Sequence, residues 1–351
     1  MDRYKTVVLG ASGLVAQRLQ QRLYRHPMFE LTSVAGNSWS GMSLEDVPWK
    51  LDEKRPDLPD LLIEDVHDEN IPATLYEQGI RIAFSALPSQ HAVNIEPRWA
   101  KAGITVFSNA SSFRLTEGVP LVIPEINPLA LNGIAEVGHP IVCATNCTLL
   151  PLIMPLAPLN NMFGLTKVSV RSEQALSGGG YGLLDKYLGN NEPFDMTIPG
   201  EAEKTEAEFR RILEWNGEMD IACNRVRRKD GHHVLVTAEF EQVLSVEKVE
   251  DCFQQWNAKH MHNNQPSAPY HPLMFAPKID DEAHLFANGE SFERTPDPAS
   301  NLKAGMSIVV ASIECLNSRT VRFEGYSHNT LRGAAGGVVY LAELAHTMKK
   351  L

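Results

Sequence analysis

Cys147 stands in Thr145-Asn146-Cys147-Thr148-Leu149-Leu150-Pro151, where a strand-like run passes into an apolar helical stretch with polar cap residues and a proline in its first turn. A cysteine there feels the helix N-terminus, which lowers the thiol pKa and favours the reactive thiolate. Cys147 is therefore the candidate nucleophile, and Cys143, Cys223, Cys252 and Cys315 read as buried structural thiols. A thiolate attacking a carbonyl needs an acid/base partner and donors for the tetrahedral oxyanion. The backbone N–H of Cys147 and the amide of Asn146 are candidates for the donors. Candidate acid/base groups are His232 and His233, at the end of Arg225-Val226-Arg227-Arg228-Lys229-Asp230-Gly231, where the chain enters an alternating strand. Taken alone, that basic loop also reads as a solvated turn.

A second feature with chemistry in it is Gly10-Ala11-Ser12-Gly13-Leu14-Val15-Ala16, which follows a strand and opens a helix. Glycines let a backbone approach a pyrophosphate, and the helix N-terminus offers N–H donors and a partial positive charge. Gly10, Ser12, Gly13, Leu14 and Val15 are the expected cofactor contacts, although the spacing also suits a plain strand–helix turn. Beyond the second strand the chain reads Ala35-Gly36-Asn37-Ser38-Trp39-Ser40-Gly41. No acid is present to pair with a ribose 2′-hydroxyl, and no Arg or Lys to meet a 2′-phosphate. Ser38 and Ser40 can donate to that phosphate, so NADP is favoured and NAD kept as an alternative.

Positioning these groups requires a parallel α/β half. Tyr4–Leu9 reads as a strand, followed by the glycine turn and a helix to about Tyr24 with Val15, Leu19 and Leu23 on one face. Residues 29–35, 80–86, 105–109 and 140–144 read as further strands. After Cys147 the strands lengthen and alternate, at 165–172, 234–244, 307–315 and 320–326, as a mixed or antiparallel sheet would use. Residues 190–204 and 260–272 read as surface loops, and residues 333–349 as a terminal helix. The expected division is a Rossmann-type domain at 1–148, an α+β catalytic and dimerisation domain with a mixed sheet at 149–327, and a helix at 328–351 that returns to the first.

The 351 residues are 43% hydrophobic and 21% charged, with no apolar run long enough for a membrane span. The N-terminal segment lacks a signal-peptide h-region, so a cytoplasmic enzyme is expected. Five scattered cysteines without CxxC spacing argue against a disulfide framework, and with the histidine pairs at 232/233 and 260/262 they give no metal site. A net charge of −11 argues against nucleic-acid partners.

The collinear series GASGxV, SALPS, SNASSFR, PLVIPEIN, TNCT, EQALSGGG, GEAEK, RVxxxxGH and HNTLRGAAGG resembles the aspartate-semialdehyde dehydrogenase family, in its archaeal and fungal branch, from residue 8 to about 345. The resemblance implies Cys147 as nucleophile on the aldehyde and His232 as proton shuttle, with hydride passing to NADP⁺ and phosphate cleaving the thioester to an acyl phosphate. It implies Gln174 as the residue that orients the substrate, beside Ser177 and Gly178, and Arg225 on the α-carboxylate. Glu201 would meet the substrate ammonium, and Lys204 and Arg114 the phosphate. Unaided, Glu201 and Lys204 read as a surface i,i+3 pair. Ser85 and Ala86, in SALPS, and Asn329 are expected at the cofactor. The second sheet is expected to form a homodimer or homotetramer interface.

Three departures bear on specificity. The segment after the second strand carries Trp39 where the family has Arg and Lys. Arg227 and Arg228 replace a Pro-Val pair and His233 a threonine. Residues 295–301 are less basic than the family pattern. The added cations suit either a more anionic substrate or a remodelled exposed loop. Two other readings stand beside the first: a paralogue with the same cysteine chemistry on another acyl phosphate or acyl-CoA, such as malonyl-CoA, and a non-catalytic binding or regulatory protein.

Overall fold

A computed structural model of the chain describes residues 3–135, 140–190, 192–261 and 263–351. The first half alternates β1 (Tyr4–Leu9), α1 (Leu14–Leu23), β2 (Phe29–Gly36), β3 (Ile63–Asp65), α2 (Ile71–Glu77), β4 (Ile82–Ser85), α3 (Ser89–Lys101), β5 (Thr105–Ser108) and β6 (Ile141–Cys143). These six strands form one parallel sheet in the order β3-β2-β1-β4-β5-β6. Val7, Val8 and Leu9 are fully buried, as a strand covered on both faces requires. Strand order reverses between β1 and β4, and the crevice at such a switch point is where open α/β sheets take their ligands. The glycine loop leaves β1 there, and Ser85 and Ala86 end and follow β4.

α1 is buried more completely than its amphipathic pattern foretells. Its polar residues Gln17, Arg18, Gln20 and Arg22 are also enclosed. Gln17 donates to Pro48 O at 2.8 Å, Gln20 to Ala11 O at 2.7 Å, and Arg22 to carbonyls at Pro298, Asn301 and Leu302. Two segments distant in sequence thus cover the face that solvent was expected to take.

The second half contains α4 (Leu149–Phe163), β7 (Leu165–Gln174), α5 (Tyr181–Tyr187), α6 (Glu201–Leu213), β8 (Glu218–Arg225), β9 (His232–Phe240), α7 (Val246–His260), β10 (Leu273–Ala276), β11 (Ile308–Asn317) and β12 (Thr320–Ser327). Its sheet runs β10-β11-β12-β9-β7-β8, antiparallel in the middle and parallel at both edges. α4 is apolar almost all round and is buried accordingly, packed under this sheet and against α6 and α7. The opposite face of the sheet is open, with Arg171, Leu235 and Arg322 among its exposed residues. Against expectation, residues 218–225 form a strand, the strand foreseen at 234–244 runs 232–240, and the loop foreseen at 190–204 stops where α6 begins at Glu201.

The terminal helix opens as a π-helical turn, Leu331–Ala335, and continues as α8 (Gly336–Thr347). Ala335, Val338, Val339 and Ala342 pack with Val8, Leu19 and Phe84 of the first sheet's core. A buried polar clip secures the return. Glu343 accepts from Ser267 N–H at 2.9 Å and Ser267 Oγ at 2.6 Å, and lies 2.8 Å from His26 Nε2. Removing one member of such a cluster strands the others without water. Glu343→Ala is expected to lower stability by about 3 kcal/mol in denaturant unfolding; a loss within experimental error would mean the clip holds nothing.

Candidate active site

The turn from β6 into α4 carries the nucleophile across from one sheet to the other. Cys147 Sγ lies 3.3 Å from Nε2 of His232, the first residue of β9. The ring's Nδ1 accepts the backbone N–H of Ala175 at 3.2 Å, so the neutral imidazole keeps its proton on Nε2, directed at sulfur. Asn329 supports this placement: its Oδ1 accepts from Gly231 N–H at 2.7 Å and its Nδ2 donates to Ser177 Oγ at 2.8 Å. His233, one residue on, turns to the open face of the sheet by strand alternation and pairs with Glu324 Oε2 at 2.8 Å. His232 is therefore the histidine of the site.

A cavity of about 230 Å³ opens beside Cys147, with Val15, Arg114, Asn146, Glu201, Lys204 and Asn329 among its walls. Ser177 and Gly178 also line it. Behind Gly178 stands Arg225: a Cβ there would lie 2.8 Å from Arg225 Nη1 and 3.2 Å from His232 Cε1. On the other side the π turn presses against the nucleophile, since a Cβ at Gly333 would fall 2.6 Å from Cys147 Cβ. Only glycine permits that contact.

Several expectations need correction. The Asn146 amide is not free to hold an oxyanion. Its Nδ2 donates to Glu201 Oε1 at 2.9 Å and reaches Thr205 Oγ1 at 3.4 Å, and its Oδ1 accepts Thr148 N–H at 2.8 Å. The backbone N–H of Cys147, the other donor expected for an oxyanion, has no backbone acceptor among the described residues. Gln174 is buried at the end of β7, its amide 3.5 Å from Ser172 Oγ, and does not line the cavity. Arg227 donates to the carbonyls of Tyr187, Asn190 and Glu192, Arg228 to Asp281 Oδ2 at 2.6 Å, and Lys229 pairs with Asp52. The extra cations thus belong to a remodelled loop; the cations on the cavity wall are Arg114 and Lys204, and Arg225 stands behind Gly178 with its Nη1 donating to Ala175 O at 2.8 Å.

The thiol itself departs from expectation. Burial pushes Cys147 up to about 12, and the carboxylate of Glu201 adds to this, while Arg114 and Arg225 act in the opposite sense. Burial, with the Arg225 charge, depresses His232 to about 3. With burial the largest influence on both groups, the pair is thiol and neutral imidazole.

At the switch point, the first-turn N–H groups of Leu14, Val15 and Ala16 have no protein acceptor among the described residues, and Gly13 at the cap brings no side chain. Such a terminus fits a dinucleotide phosphate. Of the glycine-loop residues only Val15 reaches the cavity wall; Ser38 and Ser40 lie exposed after β2, away from it. No group of three or more His, Cys, Asp or Glu among the described residues is arranged to hold a metal ion. Glu208 and Gly333, with Ser89, Asn109, Ser111, Thr330 and Ala334 of the cavity wall, are site residues that motif reading did not single out; Glu208 lies seven residues after Glu201, a spacing that shares a helix face.

Because the Glu201 carboxylate opposes the thiolate, Glu201→Gln should lower the Cys147 pKa. Alkylation of Cys147 by iodoacetamide, followed by peptide mass spectrometry across pH 7–10, is expected to run several-fold faster at pH 8 in the variant. An unchanged or slower rate would remove Glu201 from the electrostatics of the thiol.

Residues 5–134 match the family model described as the semialdehyde dehydrogenase NAD-binding domain. Over 97% of its length the chain is 36% identical to the aspartate-semialdehyde dehydrogenase of Archaeoglobus fulgidus, covering 98% of that protein. It is 30% identical to the malonyl CoA reductase (NADP) of Metallosphaera sedula, over 97% of this chain and 96% of that one. Among solved structures, the aspartate semialdehyde dehydrogenase of Candida albicans with NADP superimposes with a TM-score of 0.80 at 27% identity, covering all of both chains. With a cysteine–histidine pair between two sheets, a dinucleotide-ready crevice and these full-length relatives, the chain belongs to the aspartate-semialdehyde dehydrogenase family.

Proposed function

We propose that this protein is an NADP-dependent phosphorylating dehydrogenase that interconverts L-aspartate 4-semialdehyde and L-aspartyl 4-phosphate through a thioester on Cys147. The observation that carries the reading is the Cys147–His232 contact opening onto a cavity walled by Arg114, Lys204 and Glu201, with Arg225 behind Gly178. A neutral thiol–imidazole pair set among separate cationic and anionic groups suits a zwitterionic aldehyde together with phosphate.

In the oxidative direction, Cys147 sulfur bonds to the aldehyde carbon as the thiol proton passes to the carbonyl oxygen, which the Cys147 N–H holds; that proton goes on to water as hydride leaves the same carbon, giving the thioester. His232 holds its proton at Nε2 beside the reacting sulfur and oxygen. A second proton on Nδ1 would break its bond from Ala175 N–H. Arg225 presents a guanidinium fork to the α-carboxylate, and Glu201 its carboxylate to the ammonium. Arg114 and Lys204 receive phosphate, whose oxygen attacks the thioester carbon and expels the thiolate. NADP, when bound at the N-terminus of α1, supplies the hydride acceptor. Ser38 and Ser40 would face its 2′-phosphate, Ser85 and Ala86 would flank it at the crevice, and Asn329 fixes the loop beside it. Gln174 supports Arg225 from the adjoining strand, where the two are register partners.

The division at 1–148, 149–327 and 328–351 and a cytoplasmic location are part of this reading. No helix among the described residues is long and apolar enough to cross a membrane. The likeness to a malonyl CoA reductase supports a second reading, in which the same cysteine acts on an acyl-CoA. The deciding assay is phosphate-dependent reduction of NADP⁺ by aspartate semialdehyde, beside malonyl-CoA with NADPH, and with Cys147→Ala as control. Robust phosphate-dependent turnover, abolished in the variant, is expected, with NADP⁺ preferred over NAD⁺ by a margin reduced through the uncharged loop. Activity on malonyl-CoA alone would move the protein to the second reading; a reactive Cys147 with neither activity would point to another acyl substrate.

The open face of the second sheet supports a homodimer. It presents Leu235, 44% exposed, among Arg171, Thr237 and Arg322, a mixed surface suited to a second copy. Light scattering is expected to give a dimer or tetramer for the native chain and a smaller species for Leu235→Glu; an unaltered mass would place the interface elsewhere.

A further inference from the structure

We propose that Glu208, to which no role in the reaction has been given, is a positioning residue that couples the phosphate-binding arginine to the nucleophile's turn. The inference rests on the reading of Arg114 as a phosphate ligand. Glu208 lies on α6, only 2% exposed, and its two oxygens serve two different parts of the site. Oε1 accepts from Arg114 Nη1 at 2.8 Å, and Oε2 accepts the backbone N–H of Asn146 at 2.6 Å. A second bond, from Arg114 Nη2 to Asn109 O at 2.7 Å, fixes the plane of the guanidinium. Arg114 Nε has no partner, and the side chain lines the cavity. The carboxylate therefore balances the arginine's charge and sets its orientation, leaving its remaining donors for an anion.

The rest of the helix face explains how this coupling is held. Glu201 and Thr205 meet the side chain of Asn146, Glu208 meets its backbone and Arg114, and Arg211 donates to the carbonyls of Arg114, Thr116 and Val119. Residues 201, 205, 208 and 211 recur every three or four positions, so one stripe of α6 spans both the phosphate side and the nucleophile side. Displacement of Glu208 would move Arg114 and the Asn146–Cys147 backbone together. A neutral amide of the same shape can accept from one of the two donors but opposes the other with its NH₂.

The test is steady-state kinetics of Glu208→Gln in the phosphorylating direction, with circular dichroism and nucleotide affinity as controls. The expected result is a rise of about tenfold in the KM for phosphate, the scale of one lost charge-assisted hydrogen bond. The KM for the aldehyde and for NADP⁺ should change by less than about twofold, and Glu208→Asp should recover part of the loss by restoring the charge. In an Arg114→Ala background, Glu208→Gln should add little, because the two act as one unit. Equal changes in all three KM values, or full additivity with Arg114→Ala, would overturn the proposal. Should Glu208→Gln fail to fold, Glu208→Asp carries the same comparison at smaller amplitude. Protection of Cys147 from iodoacetamide by inorganic phosphate gives a readout without turnover. A higher phosphate requirement in the variant supports the coupling, and an identical one rejects it. Absence of phosphate-dependent turnover in the native protein would reject the reaction, a separate result from the protection experiment.

Discussion

Asn146 is the fixed point on which the site depends. Its backbone N–H, its amide nitrogen and its amide oxygen are all engaged, two of them by α6 and one by the turn itself. A residue so fully bonded has one conformation available, and the next residue is Cys147. The sulfur is thereby aimed by groups that do not touch it. Freedom lost in the turn is offset by hydrogen bonds to the carboxylates of Glu208 and Glu201, which are stronger than neutral ones. Precision of this kind is what a near-attack geometry needs.

The turn can be clamped because α4 anchors its far side. That helix is buried on nearly every face, including its three prolines, and lies under the second sheet. Proline inside a helix normally leaves a carbonyl without its partner and a clash to relieve. Pro151 avoids both, in the first turn, while Pro155 and Pro158 sit within a helix held by its packing. β6 belongs to one sheet and α4 to the other, so the nucleophile marks the place where the chain changes layers. His232 and Arg225 reach it from the start of β9 and the end of β8. Loops at such ends are free to carry chemistry while the strands hold them in register.

The local features were legible and the distant ones were not. The glycine loop, the helix after it and the turn at Cys147 are each contained within a few residues, and their geometry followed from cap and turn preferences. The parallel half was readable because its strands are short, apolar and separated by helical stretches. What failed depends on partners far along the chain. The thiol pKa reverses because burial comes from packing between sheets, and Arg228 is explained by Asp281. The α1 face that looked solvent-exposed is covered by the segment near Asn301. α6 went unseen because its start follows a Pro- and Asn-rich polar run, and with it the helix face carrying Glu208 was lost.

The π turn before α8 places a limit on the length of the chain. Gly333 N–H bonds to His328 O, and Ala335 N–H to Thr330 O, so each bond encloses one residue more than an α-helical turn. Deleting a single residue here would allow a regular α-helix, which the backbone otherwise prefers. Every later side chain would then rotate by about 100° relative to the first sheet. Gly333 would leave the sulfur, and Glu343 would leave His26. Point substitutions elsewhere on α8 can be absorbed by repacking, but a change of register at this turn cannot. Insertions and deletions are thus barred from this segment more strictly than changes of residue type.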